Sequence, residues 1–142
     1  MDPVNVVIDT NVLVSALRSR RGASFKLLTL IDAGHFKLNI SVPLFLEYEA
    51  VALRESLNLP LSKADILDIL NYLAQVSNKR EIFFLWRPFL KDVKDDLVLE
   101  VAVESESEVI ITYNKKDFVG VDKFGIEILS PKEFLEKRGL LK

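Results

Sequence analysis

Val4-Asn5-Val6-Val7-Ile8-Asp9-Thr10-Asn11-Val12-Leu13-Val14-Ser15-Ala16-Leu17 is the stretch that decides the fold. Val6, Val7 and Ile8 form a short β-branched run suited to a strand buried on both faces. Asp9 ends the run. Thr10 and Asn11 can cap the next segment, in which Val12, Leu13, Ala16 and Leu17 recur at helical spacing. The order is strand, acid, helix. In a parallel α/β sheet, loops and helix N-termini converge at the carboxyl ends of the strands, and ligands sit there. A carboxylate closing a buried strand costs desolvation unless something positive meets it. Its plainer role is to cap the next helix, so other acids must arrive at the same edge before Asp9 means more.

Working outward, Arg18-Ser19-Arg20-Arg21-Gly22 makes a basic turn. Ser24 is expected to cap a second helix carrying Phe25, Leu27, Leu28 and Ile31, stopped at Gly34. His35, the only histidine, comes next on a loop and offers no Ser-His-Asp arrangement. Phe36, Leu38 and Ile40 alternate as a second strand. Ser41 and Pro43 then open a helix to about Leu57. Glu47 falls near its start and shares a stripe with Leu44 and Val51, with Glu49 and Glu55 as competing acids.

Ser62 and Asp65 form a capping box before Ile66, Leu67, Leu70 and Leu73, and Ile82–Trp86 is expected as a third strand ended by Arg87-Pro88. Asp92-Val93-Lys94-Asp95-Asp96 leads into a helix rich in Val, Leu and Ala. The helical wheel sets Asp95 in line with Val98, Leu99 and Ala102, and places Asp96 with Glu100 and Glu104 on a solvated face. Val109–Ile111 make a fourth buried strand, succeeded by Thr112, Tyr113, Asn114, Lys115, Lys116 and Asp117. A last strand, Ile126–Leu129, precedes a helix with Ser130 as cap, Pro131 in the first turn and Glu133 completing the box.

Strands and helices alternate with no repeat, linker or low-complexity segment, so residues 1–142 read as one α/β domain around a parallel sheet. A chain of this length buries roughly 70% of its unfolded surface. Without cysteine, thiolate metal sites, disulfides and Cys catalysis are excluded, which fits a reducing cytoplasm. No apolar run approaches a membrane span, and MDPVNVVID lacks a basic region and is broken by Asp9 before a signal-peptide core. A net charge of −2 argues against a generally basic nucleic-acid binder but leaves room for a basic patch.

With parallel strands, Asp9, Glu47, Asp95, Asn114 and Asp117 all arrive at one sheet edge. Carboxylates gathered there repel, and a hard cation with oxygen ligands resolves the repulsion, Mg²⁺ or Mn²⁺ in preference to Zn²⁺. Such a centre suits phosphodiester hydrolysis. No Gly-x-Gly-x-x-Gly or Walker pattern supports a nucleotide cofactor.

Four segments together resemble the PIN-domain family: Asp9-Thr10-Asn11-Val12-Leu13, Glu47 after Ser41-x-Pro43, Asp92-x-x-Asp95-Asp96, and Ile111-Thr112-x-Asn114-x-x-Asp117-Phe118. Within it the chain is most similar to the VapC-type toxin ribonucleases of toxin–antitoxin systems. The resemblance covers nearly the whole chain. It implies a three-layer α/β/α sandwich with a central parallel sheet of four to five strands. It also implies a Mg²⁺- or Mn²⁺-dependent cytoplasmic ribonuclease that dimerises and binds an antitoxin. Asp9, Glu47 and Asp95 carry over as catalytic metal-binding acids, and either Asp117 or the position of Asn114, an Asp in many relatives, completes the set. Thr10, Asn11, Asp92, Thr112 and Asn114 carry over as supporting polar groups, although Asp92 is followed by Val93 where that branch often has Pro. Arg18, Arg20, Arg21, Lys115 and Lys116 are candidate RNA contacts. A non-catalytic RNA- or protein-binding module competes with this reading, and a phosphoacceptor receiver domain fits less well because Asp9 lacks an adjoining acid.

Overall fold

The computed structural model describes residues 3–141. Five parallel strands form the sheet: β1 (Val4–Ile8), β2 (Phe36–Ile40), β3 (Asn78–Lys79), β4 (Val109–Ile111) and β5 (Glu127–Leu129). Their spatial order is β3-β2-β1-β4-β5, and every neighbouring pair is parallel. The first strand of the chain is therefore the middle of the sheet. Val6, Val7 and Ile8 are buried because strands flank β1 and helices cover its faces, as their unbroken β-branched run requires.

The helices are α1 (Thr10–Arg18), α2 (Ala23–Thr29), α3 (Val42–Arg54), α4 (Lys63–Val76), α5 (Val93–Glu104) and α6 (Pro131–Lys137). Helix α5 lies on β1, β2 and β4, α6 packs against α2 and β5, and α3 touches α1, α4 and α5. The result is the expected layered α/β architecture. Local signals hold at several ends: the Ser62–Asp65 and Ser130–Glu133 capping boxes are both formed, and Ser41 caps α3 with Pro43 in its first turn. Among the described residues no helix is long and apolar enough to cross a membrane.

The third strand is elsewhere than expected. Pairing with β2 runs through Asn39↔Asn78 and Ile40↔Lys79, after which the Arg80 N–H bonds the Ile40 carbonyl and the ladder stops. A buried strand needs a partner, and β2 ends at Ile40 where α3 begins, so nothing remains for residues 82–86 to pair with. They form an irregular loop instead, with Phe83, Phe84 and Leu85 exposed. Smaller differences have similar causes. Gly22, not Ser24, precedes α2, and Ser24 is buried within it, sharing a hydrogen bond with the Tyr113 hydroxyl. Helix α2 ends at Thr29, and a 3-10 turn over Ile31–Ala33 carries the chain to Gly34, whose φ of 87° suits glycine. Helix α3 stops at Arg54, short of Leu57.

Candidate active site

Asp9 comes directly after β1 and is the N-cap of α1, so the capping role falls to it and not to Thr10 or Asn11. One carboxylate oxygen accepts the Thr10 N–H at 2.8 Å, and the other accepts the Thr112 hydroxyl at 2.8 Å. Thr112 sits just beyond β4, fully buried, and its own oxygen accepts the Asn114 N–H at 3.0 Å. The sheet register places Ile8 opposite Ile111, and the Asp9 N–H bonds the Ile111 carbonyl, so the ends of β1 and β4 are locked in step. Burial raises the Asp9 pKa, the Thr112 and Thr10 hydrogen bonds pull it back, and the charges of Asp117 and Asp92 push it up again.

Asp92 is the N-cap of α5, its side chain accepting the Lys94 N–H at 2.9 Å. One turn on, Asp95 is half-buried and its pKa is pushed up to about 7. Desolvation is the largest cause, followed by the charges of Asp9, Asp117, Asp92 and Asp96. Asp117 lies in a 3-10 turn over Lys115–Phe118 and acts on both Asp9 and Asp95. Of the two candidates for the fourth position, Asp117 is the one whose charge bears on Asp9 and Asp95. Asn114 contributes its backbone N–H to Thr112.

Glu47 stands differently. The buried stripe of α3 is Leu44, Tyr48 and Ala52, at i, i+4 and i+8, so Glu47 and Val51 lie at its margin. Its side chain is 17% exposed and pairs with Lys94 at 3.7 Å. Glu47 therefore reaches the head of α5 through a lysine, and the acids that raise Asp9 and Asp95 do not include it.

The solvated face expected for Asp96 and Glu100 is overturned: both are buried. Asp96 accepts the Leu90 N–H at 2.9 Å and the Phe89 N–H at 3.4 Å. Glu100 accepts the Trp86 N–H at 2.9 Å and both arms of the Arg87 guanidinium, at 3.0 and 2.6 Å. The missed signal is that the apolar residues of α5 are spread round the helix, with Val98, Leu99, Val101 and Ala102 all buried, which leaves no single solvated face and obliges its enclosed acids to find partners. Tyr48 was also missed. Fully buried, it donates to the Ile8 carbonyl at 2.5 Å, and burial plus the Asp9 charge raise its pKa, keeping the hydroxyl protonated beneath the site. The spacing of Leu44, Tyr48 and Ala52 carried that signal.

The basic groups are scattered. Arg18, Arg20 and Arg21 are exposed at the far end of α1, about 13 Å of helix from Asp9. Lys115 is tied to Glu133 at 2.5 Å, while Lys116 is exposed beside Asp117.

A family model described as "PIN domain" matches residues 5–116. The chain belongs to the PIN domain family. The match takes in Asp9, Glu47, Asp95, Thr112 and Asn114 and stops one residue before Asp117. No curated protein matches the chain. PIN domains are usually nucleases and generally use divalent metal ions. The donor set here suits such an ion: oxygen atoms only, with no cation paired to Asp9, Asp95 or Asp117 among the described residues. Two hydrogen bonds fix Asp9, whereas the Asp95 and Asp117 side chains make none among the described residues and are free to turn toward an ion. As placed, no group of three acids among the described residues stands ready to hold one.

Proposed function

We propose that this PIN domain is a Mg²⁺- or Mn²⁺-dependent endoribonuclease, hydrolysing RNA phosphodiester bonds as the toxin of a type II toxin–antitoxin pair. The observation that carries the reading is that Asp9, Asp95 and Asp117, from three chain segments, have no paired cation among the described residues, while burial first and the charges of Asp9 and Asp117 next push the Asp95 pKa up to about 7. Asp9, Asp95 and Asp117 would hold the ion, with Glu47 joining once released from Lys94. Bound there, a divalent cation supplies charge stabilisation of the phosphoryl oxygens and an acidified water.

The remaining work falls to the chain itself. Thr10 and Thr112 fix Asp9 so that its carboxylate cannot swing away. Asn11 accepts the Tyr113 N–H at 3.5 Å, bracing the turn after β4. Asp95, its pKa pushed up to about 7 by burial and then by the neighbouring acids, is the group that would hold a proton in the metal-free protein near neutral pH and would release it to a bound cation. Lys116, Lys115 and the Arg18–Arg21 turn supply positive charge for an approaching RNA strand, which an overall acidic protein needs locally. Dimerisation, an antitoxin partner and a cytoplasmic setting belong to the same proposal.

Purified protein given a mixed RNA panel should cleave with Mn²⁺ or Mg²⁺, stop in chelator, and stop when Asp9 is replaced by Asn. Cleavage undiminished by Asp9→Asn would mean a contaminant and end the assignment. RNA binding without cleavage in any metal would favour a non-catalytic PIN-like binding module.

A further inference from the structure

Lys94 stands against the local electrostatics at the head of α5. It is the second residue of the helix, where the backbone dipole presents its positive end and an acid is the favourable choice. Its N–H is held by the Asp92 cap at 2.9 Å, and Asp95 follows it directly. The chain thus roots this lysine between two acids, and the needs of the helix do not explain it.

Glu47 does. That side chain has lost most of its solvent, and its only partner among the described residues is the Lys94 Nζ, 3.7 Å away. A carboxylate so far out of water needs a cation. The pairing is lopsided: Glu47 is enclosed, while the Lys94 side chain is 54% exposed and ends a flexible four-carbon stem. It is also loose, since a tight ammonium–carboxylate hydrogen bond is shorter. The charges that bear on Asp95 are those of Asp9, Asp117, Asp92 and Asp96; Glu47, which has its own cation, is not among them.

A divalent ion entering beside Asp95 offers Glu47 a stronger cation than an ammonium, and two cations crowded on one carboxylate repel each other. The ammonium is the one that can leave. Its stem keeps it at the head of α5, where the next negative group to arrive is the phosphodiester.

We propose that Lys94 is an exchangeable cation of the site: it neutralises Glu47 in the metal-free protein, yields it to the divalent ion, and then holds a non-bridging oxygen of the substrate phosphate. This rests on the nuclease reading and adds a substrate-binding residue to it. No covalent bond changes in the exchange, and the ammonium keeps its protons.

Two measurements test the two halves. In the first, Mn²⁺ is titrated without RNA into metal-free wild type, Lys94→Met, Glu47→Gln and the double variant, with free Mn²⁺ read by electron paramagnetic resonance. Lys94→Met should bind Mn²⁺ roughly threefold tighter than wild type, the worth of a half-exposed ion pair. In the Glu47→Gln background the same change should leave the affinity as it was, because no carboxylate remains to be released. No tightening overturns the proposal, and so does equal tightening in both backgrounds, which would make Lys94 a merely repelling charge. In the second, cleavage is followed at saturating Mn²⁺, where metal affinity no longer counts. Lys94→Met should lose about tenfold in kcat/KM. Its logarithmic salt slope should shrink by roughly 0.7 to 0.9, the mark of one phosphate contact. Lys94→Arg should keep the slope. Wild-type kcat/KM and slope in Lys94→Met overturn the proposal too. Mn²⁺ binding and RNA cleavage that are both indifferent to Lys94 remove the exchange and leave the nuclease; no Mn²⁺ bound by any of the four proteins removes both.

Discussion

The Thr112 hydroxyl donates to Asp9 across the ends of two adjacent strands, at 2.8 Å, joining residues 103 positions apart in the chain. It is a buried, charge-assisted bond at the centre of the sheet edge, and its removal should be felt in stability and in titration alike. Thr112→Val keeps the shape and deletes the bond, leaving the Asn114 N–H without its acceptor as well. The expected cost is about 2 kcal/mol in urea unfolding. The Asp9 pKa should rise further, because Thr112 is among the groups that lower it, so the acid limb of the cleavage profile should move to higher pH.

Asp95 makes the metal-free protein sensitive to pH. Its folded pKa, about 7, lies above the ordinary value of 3.8, so the folded state binds the proton more tightly than the unfolded chain. The stability this confers is complete below pH 3.8 and is lost as the pH climbs through about 7. Thermal unfolding in chelator should therefore show a fall in Tm between pH 5 and pH 8 that Asp95→Asn flattens. The same variant should be more stable than wild type at pH 8 and inactive. A wild-type Tm flat across that window would show that the acids do not share a pocket.

Asp95 and its neighbour should fail in different ways. Asp96→Ala strips the Leu90 and Phe89 N–H groups of their acceptor and should destabilise the fold by about 2–3 kcal/mol. Asp96→Asn retains an acceptor oxygen and should cost less. Asp95→Asn should abolish cleavage with no loss of stability. Urea titration beside an activity assay separates the two, and loss of activity by Asp96→Asn in a fully folded protein would move the catalytic acid one residue along α5.

Metal should act on stability by mass action. A hundredfold excess of Mn²⁺ over its dissociation constant is expected to stabilise the wild type by about 2.7 kcal/mol. Asp9→Asn should forfeit most of that gain, and its metal-free Tm should lie near that of wild type, because the repelling charge it removes is offset by the loss of one of the two acceptors that serve Thr10 and Thr112. A thermal-shift series checks both, and an equal metal response in the two proteins would exclude Asp9 as a ligand.

Much of this was readable from residue order. The β-branched run closed by Asp9, the Ser-Pro and capping-box starts of helices, and the alternation of elements are local patterns, and local patterns fixed four strands and five helix starts. What misled were questions of neighbourhood. Ile82–Trp86 has the composition of a strand, but whether a partner edge remains depends on where β2 ends. Asp96 and Glu100 share a helical face with Glu104, yet which face is solvated depends on the aromatic loop lying over α5. The pairing of Glu47 with Lys94 likewise joins helices about fifty residues apart, beyond the reach of any wheel.

The central place of β1 has a consequence for synthesis. Its two flanking strands lie at very different distances along the chain: Val6 meets Leu38 on one side and Val109 on the other. Half the sheet can pair early, but the edge carrying Asp9 stays open until β4 and the turn bearing Asp117 have left the ribosome. Closing so long a loop comes late and slowly. A nascent chain arrested between Asp95 and Val109 holds Asp9, Glu47 and Asp95 without the strand that orients the first of them, so no product truncated there can carry an assembled acid cluster.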